Sequence, residues 1–279
     1  MIVILPMIVI LLLILAALVF CVAPGKMTPE AKIMSASFSG LNCAHRGLYA
    51  EDQNVPENSL PAFAAARDAG YGVELDVQLS SDGHVVVFHD DGLKRACGAD
   101  SPVNAMSWEL LSVLSLFGTG ERMPLLTEVV GLLGDTPVIV ELKSAGGNNA
   151  QLCQKALDIL RLHGRVWCVE SFDPRIGAWF RKNAPDVLRG QLADLPRNYD
   201  SQPKATALLL GNLLTNFMSR PHFIAYSTAP RPLTVRLCLA MKPMKVIWTV
   251  QPDDDIAEFE KENDSIIFEH YKPAPRYRG

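Results

Sequence analysis

From residue 41 onward, short apolar runs alternate with amphipathic stretches, and this rhythm restricts the fold more than any other feature of the chain. The short apolar runs LNCAH, GVELDV, HVVVFH, VIVELK, VWCVES, LRGQLA, HFIAYS, KVIWTV and SIIFEH read as strands. Helical patterns lie between several of them, including LTEVVGLLG, QLCQKALDILRLHG and PRIGAWFRKN. Asn58 or Ser59 can cap a helix that carries Leu60 and Phe63 on one face, takes Pro61 in its first turn and stops near Gly70. Asp253 to Asp255 put negative charge at the start of the last helix, where the dipole favours it. Strand and helix in alternation imply parallel strands joined by right-handed crossovers. About eight such units predict an α/β fold, a (β/α)8 TIM-type barrel over residues 41–279. The strand candidates exceed that number by one, so one is an extra hairpin strand or not a strand. Residues 91–123, with Gly92, Gly98, Pro102, Gly118 and Gly120 and weak periodicity, read as an inserted excursion.

The first residues follow a different logic. Residues 2–23, IVILPMIVILLLILAALVFCVA, carry no charge. At about 1.5 Å per residue they match a hydrocarbon core about 30 Å thick. A cleaved leader would carry a basic start and a small-residue cleavage site, and Pro24 follows Ala23 awkwardly. A lipid-modified Cys21 would sit after Phe20, a bulky residue for that role. The expectation is a retained single-pass transmembrane anchor over residues 1–23, then a linker over 24–40. Lys26 and Lys32 favour a cytoplasmic barrel. The five cysteines beyond the anchor (Cys43, Cys97, Cys153, Cys168, Cys238) form neither a disulfide framework nor a zinc pattern, and are expected as free thiols. The net charge of −4 and the absence of a Lys/Arg run give no basis for nucleic-acid binding.

The chemistry concentrates at strand ends. In VELDV, Glu74 and Asp76 share one face of a strand while Val73, Leu75 and Val77 share the other. If the apolar set faces the helices, both carboxylates face the barrel interior. Two unpaired carboxylates there are costly through desolvation and mutual repulsion. A divalent cation removes that difficulty, and hard oxygen ligands suit Mg2+ or Ca2+. VELK repeats the pattern, with Glu141 as a third carboxylate and Lys143 as a positive charge for an anion. His45 closes one strand and His89 another, at the end where parallel barrels carry their active sites, so the pair suits general acid and base work. Arg46 can grip a phosphate in a bidentate way, and Glu57 can orient it or join the metal site.

At these residues the sequence resembles the glycerophosphodiester phosphodiesterase family. The resemblance rests on AHRG, PENSLPAFAAARDAG, VELDVQLSSDGHVVVFHDDGLKRACG, VIVELK, ESFDP and VIWTVQ, and covers most of residues 42–270. It implies a TIM-type barrel that hydrolyses glycerophosphodiesters to sn-glycerol 3-phosphate and an alcohol with a divalent metal. His45 and His89 are then the acid–base pair, Arg46 and Lys143 the phosphate contacts, and Glu74, Asp76 and Glu141 the metal ligands. Trp248 corresponds to an aromatic wall beside the glycerol, and Glu57 lies in the motif. SIIFEHYKP, with Glu269, His270 and Lys272, departs from the family's usual GIITDRP ending. Two other functions fit the same residues: a lysophospholipase D or sphingomyelinase D-like activity on lysolipids, and an inactive module that binds lipid head groups. The attacker is either the substrate's own hydroxyl, through a cyclic phosphate, or water.

Overall fold

The computed structural model describes residues 4–278. The first three residues of the expected anchor, and residue 279 of the expected barrel domain, lie outside them. The chain begins with α1 (Ile4–Val22) and α2 (Pro29–Phe38). Then come β1 (Leu41–Ala44), α3 (Leu60–Asp68), β2 (Gly72–Leu79) and β3 (Val85–Val87). The excursion carries α4 (Lys94–Cys97) and α5 (Trp108–Leu111), and α6 (Leu126–Leu133) leads to β4 (Val138–Leu142). The second half runs α7 (Asn149–His163), β5 (Trp167–Ser171), α8 (Pro174–Asn183), β6 (Arg189–Ala193), α9 (Lys204–Gly211), α10 (Asn216–Ser219), β7 (Phe223–Ser227), α11 (Leu233–Ala240), β8 (Met244–Val250), α12 (Ile256–Glu262) and β9 (Ser265–Phe268).

The sheet order is β1-β9-β8-β7-β6-β5-β4-β2-β3, and β1 also pairs with β2, so the barrel closes. All ladders are parallel except β2–β3, where Val77 faces Val87. The surplus strand candidate is therefore a hairpin strand hung on β2, outside the closed eight-stranded parallel barrel. Period-two packing decides which side chains face inward. Val73, Leu75 and Val77 join Phe63, Ala66, Leu126 and Val129 in the layer between sheet and helices. Glu74, Asp76 and Gln78, on the opposite face, are buried polar residues.

Residues 24–40 are not the linker that the sequence suggests. Thr28 accepts from the Ala31 amide at 3.2 Å, and Pro29 opens α2. Ala31 and Phe38 are fully buried, packed with Leu41, Leu188, Phe223 and Met244 at the starts of the strands. The apolar N-terminal mouth of the barrel needs a cover, and α2 supplies it. The excursion also has a core of its own, built from Val86, Phe88, Leu93, Leu111, Leu116 and Met123. Its helices are single turns, which explains the weak periodicity.

Candidate active site

The turn after β1 sets the first half of the site. Arg46 and Gly47 both take positive φ (54° and 81°), and a Cβ on Gly47 would lie 2.8 Å from the Ala62 backbone. This sharp turn lets His45 and Arg46 both point into the mouth. Ser59 caps α3 by accepting from the Ala62 amide at 3.4 Å. Asn58, the other cap candidate, instead donates to Asp76 Oδ2 at 2.9 Å.

Glu74, Asp76 and Glu141 come together in the barrel, with one oxygen from each lying within 4.8 Å of the others. The parallel register places Asp76 beside Glu141, and Glu141 beside Glu170 of β5. Lys143 Nζ lies 3.1 Å from Asp76 Oδ1 and 3.0 Å from Glu141 Oε1. Burial opposes the charge on Asp76, but Lys143, His89, Arg46 and the Asn58 amide hold it well below the usual carboxylate range. Glu74 is pushed well above that range, first by burial and then by Asp76 and Glu141. Glu141 is also raised, by burial first, although Lys143 opposes it. Glu170 is raised well above the range by burial and by Glu141 and Asp76, and its Oε2 has no hydrogen-bond partner among the described residues. Four buried carboxylates thus face two cations, Arg46 and Lys143. An orphaned carboxylate oxygen beside a tight acidic set fits a hard divalent cation.

Each histidine leans on a carboxylate. His45 Nδ1 donates to Glu269 Oε2 at 2.6 Å, and its Nε2 lies 3.9 Å from Glu74 Oε2. Glu269 also accepts from Tyr49 Oη at 2.8 Å and from Gln251 Nε2 at 2.6 Å. Burial opposes its charge, yet these donors draw it down to about 2. Burial, with Arg46 nearby, lowers the pKa of His45, and Glu269 resists the shift. His89 Nδ1 donates to Asp90 Oδ1 at 2.7 Å, and Asp90 accepts from Arg95 Nε at 2.6 Å. In both histidines Nε2 is left free, with Nδ1–H fixed by its carboxylate.

Arg46 Nη1 donates to Glu57 at 2.8 Å, and Arg95 Nη2 donates to the same carboxylate at 2.6 Å. Glu57 therefore sits between two guanidinium groups and outside the acidic cluster. Arg46 Nε is buried without a hydrogen bond. Trp248 is half-buried, donates to the Ala225 carbonyl at 3.1 Å and meets Phe172 edge-on with centroids 5.5 Å apart. A cleft of about 830 Å³ runs outward from Glu141 and Lys143 past Phe172 and Arg175 to Leu209 and Met218. α9 and α10 line the far end of this cleft, through Thr206, Leu209 and Leu210 and through Met218. Sequence reasoning missed Asn58, Asp90, Arg95, Glu170 and the partnership of Glu269 with His45. The one available signal was that Glu269 stands in the departing segment SIIFEHYKP.

A family model described as the glycerophosphoryl diester phosphodiesterase family matches residues 45–271. A glycerophosphodiester phosphodiesterase of Caldanaerobacter subterraneus is 40% identical over 111 residues, 37% of this chain and 44% of the relative. The lysophospholipase D GDPD1 of Rattus norvegicus is 32% identical over 147 residues, 47% of this chain and 45% of the relative. The matched segments thus take in less than half the length of these two relatives. Among solved structures, an Oleispira antarctica phosphodiesterase in complex with the product sn-glycerol-3-phosphate superposes with a TM-score of 0.69 at 21% identity, covering 85% of this chain and 96% of that one. A Silicibacter pomeroyi structure of the same description as the family gives 0.67 at 23% identity, covering 86% and 94%. At these identities the superpositions establish the barrel fold.

Proposed function

The chain belongs to the glycerophosphoryl diester phosphodiesterase family, and on that footing we propose that it hydrolyses glycerophosphodiesters to sn-glycerol 3-phosphate and an alcohol. The observation that carries this reading is the pair of carboxylate-backed histidines beside the Glu74, Asp76 and Glu141 cluster, with Arg46 and Lys143 between. Glu74, Asp76 and Glu141 would hold Mg2+ or Ca2+, which would supply positive charge against the phosphoryl oxygens as the transition state forms. Arg46 and Lys143 add fixed positive charge where negative charge grows, and the dry setting strengthens both. The free Nε2 of one histidine takes the proton from the attacking hydroxyl. The other histidine, protonated, gives one to the departing alkoxide. Glu57 holds Arg46 in place, and Trp248 with Phe172 offers an apolar wall for the glycerol carbons. The test is release of glycerol 3-phosphate from glycerophosphoethanolamine by the purified chain, with and without EDTA. No release under either condition rejects this activity.

A second reading is lysophospholipase D activity. It is favoured by the apolar side of the cleft, where Phe172, Leu209, Leu210 and Met218 continue outward from Glu141 and Lys143. Faster turnover of a lysolipid than of its deacylated diester would select it. The setting belongs to the same proposal: α1 is a membrane span, residues 41–279 form the catalytic domain, and Lys26 and Lys32 hold that domain on the cytoplasmic side.

A further inference from the structure

The end of α1 is built into the barrel. The last carbonyls of a helix have no intrahelical partner. Here Arg220 Nη1 donates to those of Phe20 and Ala23 at 2.8 and 2.9 Å, and Asn216 Nδ2 donates to that of Val22 at 3.1 Å. The Gly25 amide then donates to the Pro221 carbonyl at 2.8 Å. Val22 is fully buried with Ile224, Tyr226, Val235 and Cys238. Phe20 stacks on Phe217 with centroids 6.1 Å apart, and Arg220 lies 4.6 Å over the Phe20 ring.

This docking takes residues 18–23 out of any free span. Residues 4–17 are all exposed and measure about 21 Å as a helix. With residues 4–17 in the bilayer and the end of α1 fixed to the barrel, the barrel surface around that end lies at the edge of the hydrocarbon core. The flank here is a folded surface. Phe20 and Phe217 are 58% and 40% exposed, the aromatic type that settles at head-group level. Arg181 donates to the Phe217 and Met218 carbonyls, and Arg220 lies over the Phe20 ring. Neither guanidinium has a carboxylate within 4.0 Å among the described residues.

We propose that the barrel is seated on an anionic phospholipid surface through the face around Phe217, Arg181 and Arg220, instead of hanging from a flexible tether. The inference rests on α1 being a membrane span. It also orients the molecule, because α10 presents Phe217 to α1 while its neighbour Met218 lines the cleft that leads to Glu141 and Lys143. The open flank of the site then lies beside the lipid head groups.

The experiment uses the full chain in nanodiscs of phosphatidylcholine, alone or mixed with phosphatidylglycerol. Two photoactivatable lipids are used, one with a diazirine on the head group and one with it in the acyl chain. The acyl-chain probe should label α1. The head-group probe should label residues 216–220 well above α3, which lies across the barrel, and phosphatidylglycerol should increase that labelling. Arg181→Ser should lower it about fivefold in the anionic discs. Phe217→Ser should lower it in both discs, and Phe217→Trp should keep it, which separates loss of contact from loss of fold. If α1 is labelled but residues 216–220 match α3 in both lipids, the seat is wrong and the span stands. If α1 is not labelled, both fall. Cross-linking of residues 216–220 to a second copy of the chain would give the face to a dimer and overturn the proposal.

Discussion

In the proposed mechanism His45 transfers a proton through Nε2, which Glu269 leaves open by occupying Nδ1. His45→Ala should therefore lower kcat by about 10²–10⁴ with little change in KM. Glu269→Gln keeps the shape but replaces the anionic acceptor, so kcat should fall by about tenfold or more. The same variant has a pH signature. Glu269 is drawn down to about 2 in the fold from a usual value near 4.5. A carboxylate with a lowered pKa contributes stability fully above its unfolded value and loses it as pH falls through the folded one. The wild-type melting temperature should exceed that of Glu269→Gln at pH 7, and the gap should close between about pH 4.5 and pH 2. A gap that is constant over that range would assign Glu269 a packing role only. Glu74→Gln should behave in the opposite sense. It removes one of several crowded buried carboxylates, so without metal the variant should be more stable than wild type by about 1–3 kcal/mol, although inactive. A divalent ion should raise the melting temperature of wild type and not of the variant. Glu74 and Asp76 were legible in the sequence because strand periodicity alone puts them on one face. The link from His45 to Glu269 crosses 224 residues and leaves no local pattern.

At the scale of elements, the strands were legible because each is a short apolar run between helix or turn signals. β3 was legible only as a surplus, since periodicity does not separate an antiparallel hairpin strand from a barrel strand. α2 was missed because its small and polar residues, Ser35, Ala36 and Ser37, resemble a loop, and its helical state depends on Phe38 finding the barrel mouth. α10 was missed because a single turn has no period, yet it supplies Asn216 to α1. Asn216→Leu would leave the Val22 carbonyl without its donor, at a loss of about 1–3 kcal/mol local to that junction. Amide hydrogen exchange over residues 19–25 should accelerate while β1 to β9 stay protected. Equal acceleration throughout would mean that the junction and the barrel unfold as one unit.

For the whole molecule, the proposed cytoplasmic placement of the barrel can be tested with thiols, once burial is taken into account. Cys43, Cys153, Cys168 and Cys238 are buried and would react only after denaturation. Cys97 is half-buried, and its thiol is pushed up to about 11 by burial and Asp90. Labelling of intact cells with an impermeant reagent should therefore run at mildly alkaline pH to supply thiolate. With the barrel in the cytoplasm, Cys97 should be protected until lysis; modification before lysis places the barrel outside. The docking of α1 also has a consequence in time. α1 is made before the segments that receive it: Asn216, Arg220 and the β7–α11 surface follow some 200 residues later. At about 5–20 residues per second, roughly 10–40 s pass before its protein partner exists. On the proposed reading of α1 as a membrane span, the bilayer competes over that interval for the same apolar helix. The order of synthesis therefore favours insertion of α1 first and assembly of the barrel onto its waiting end second.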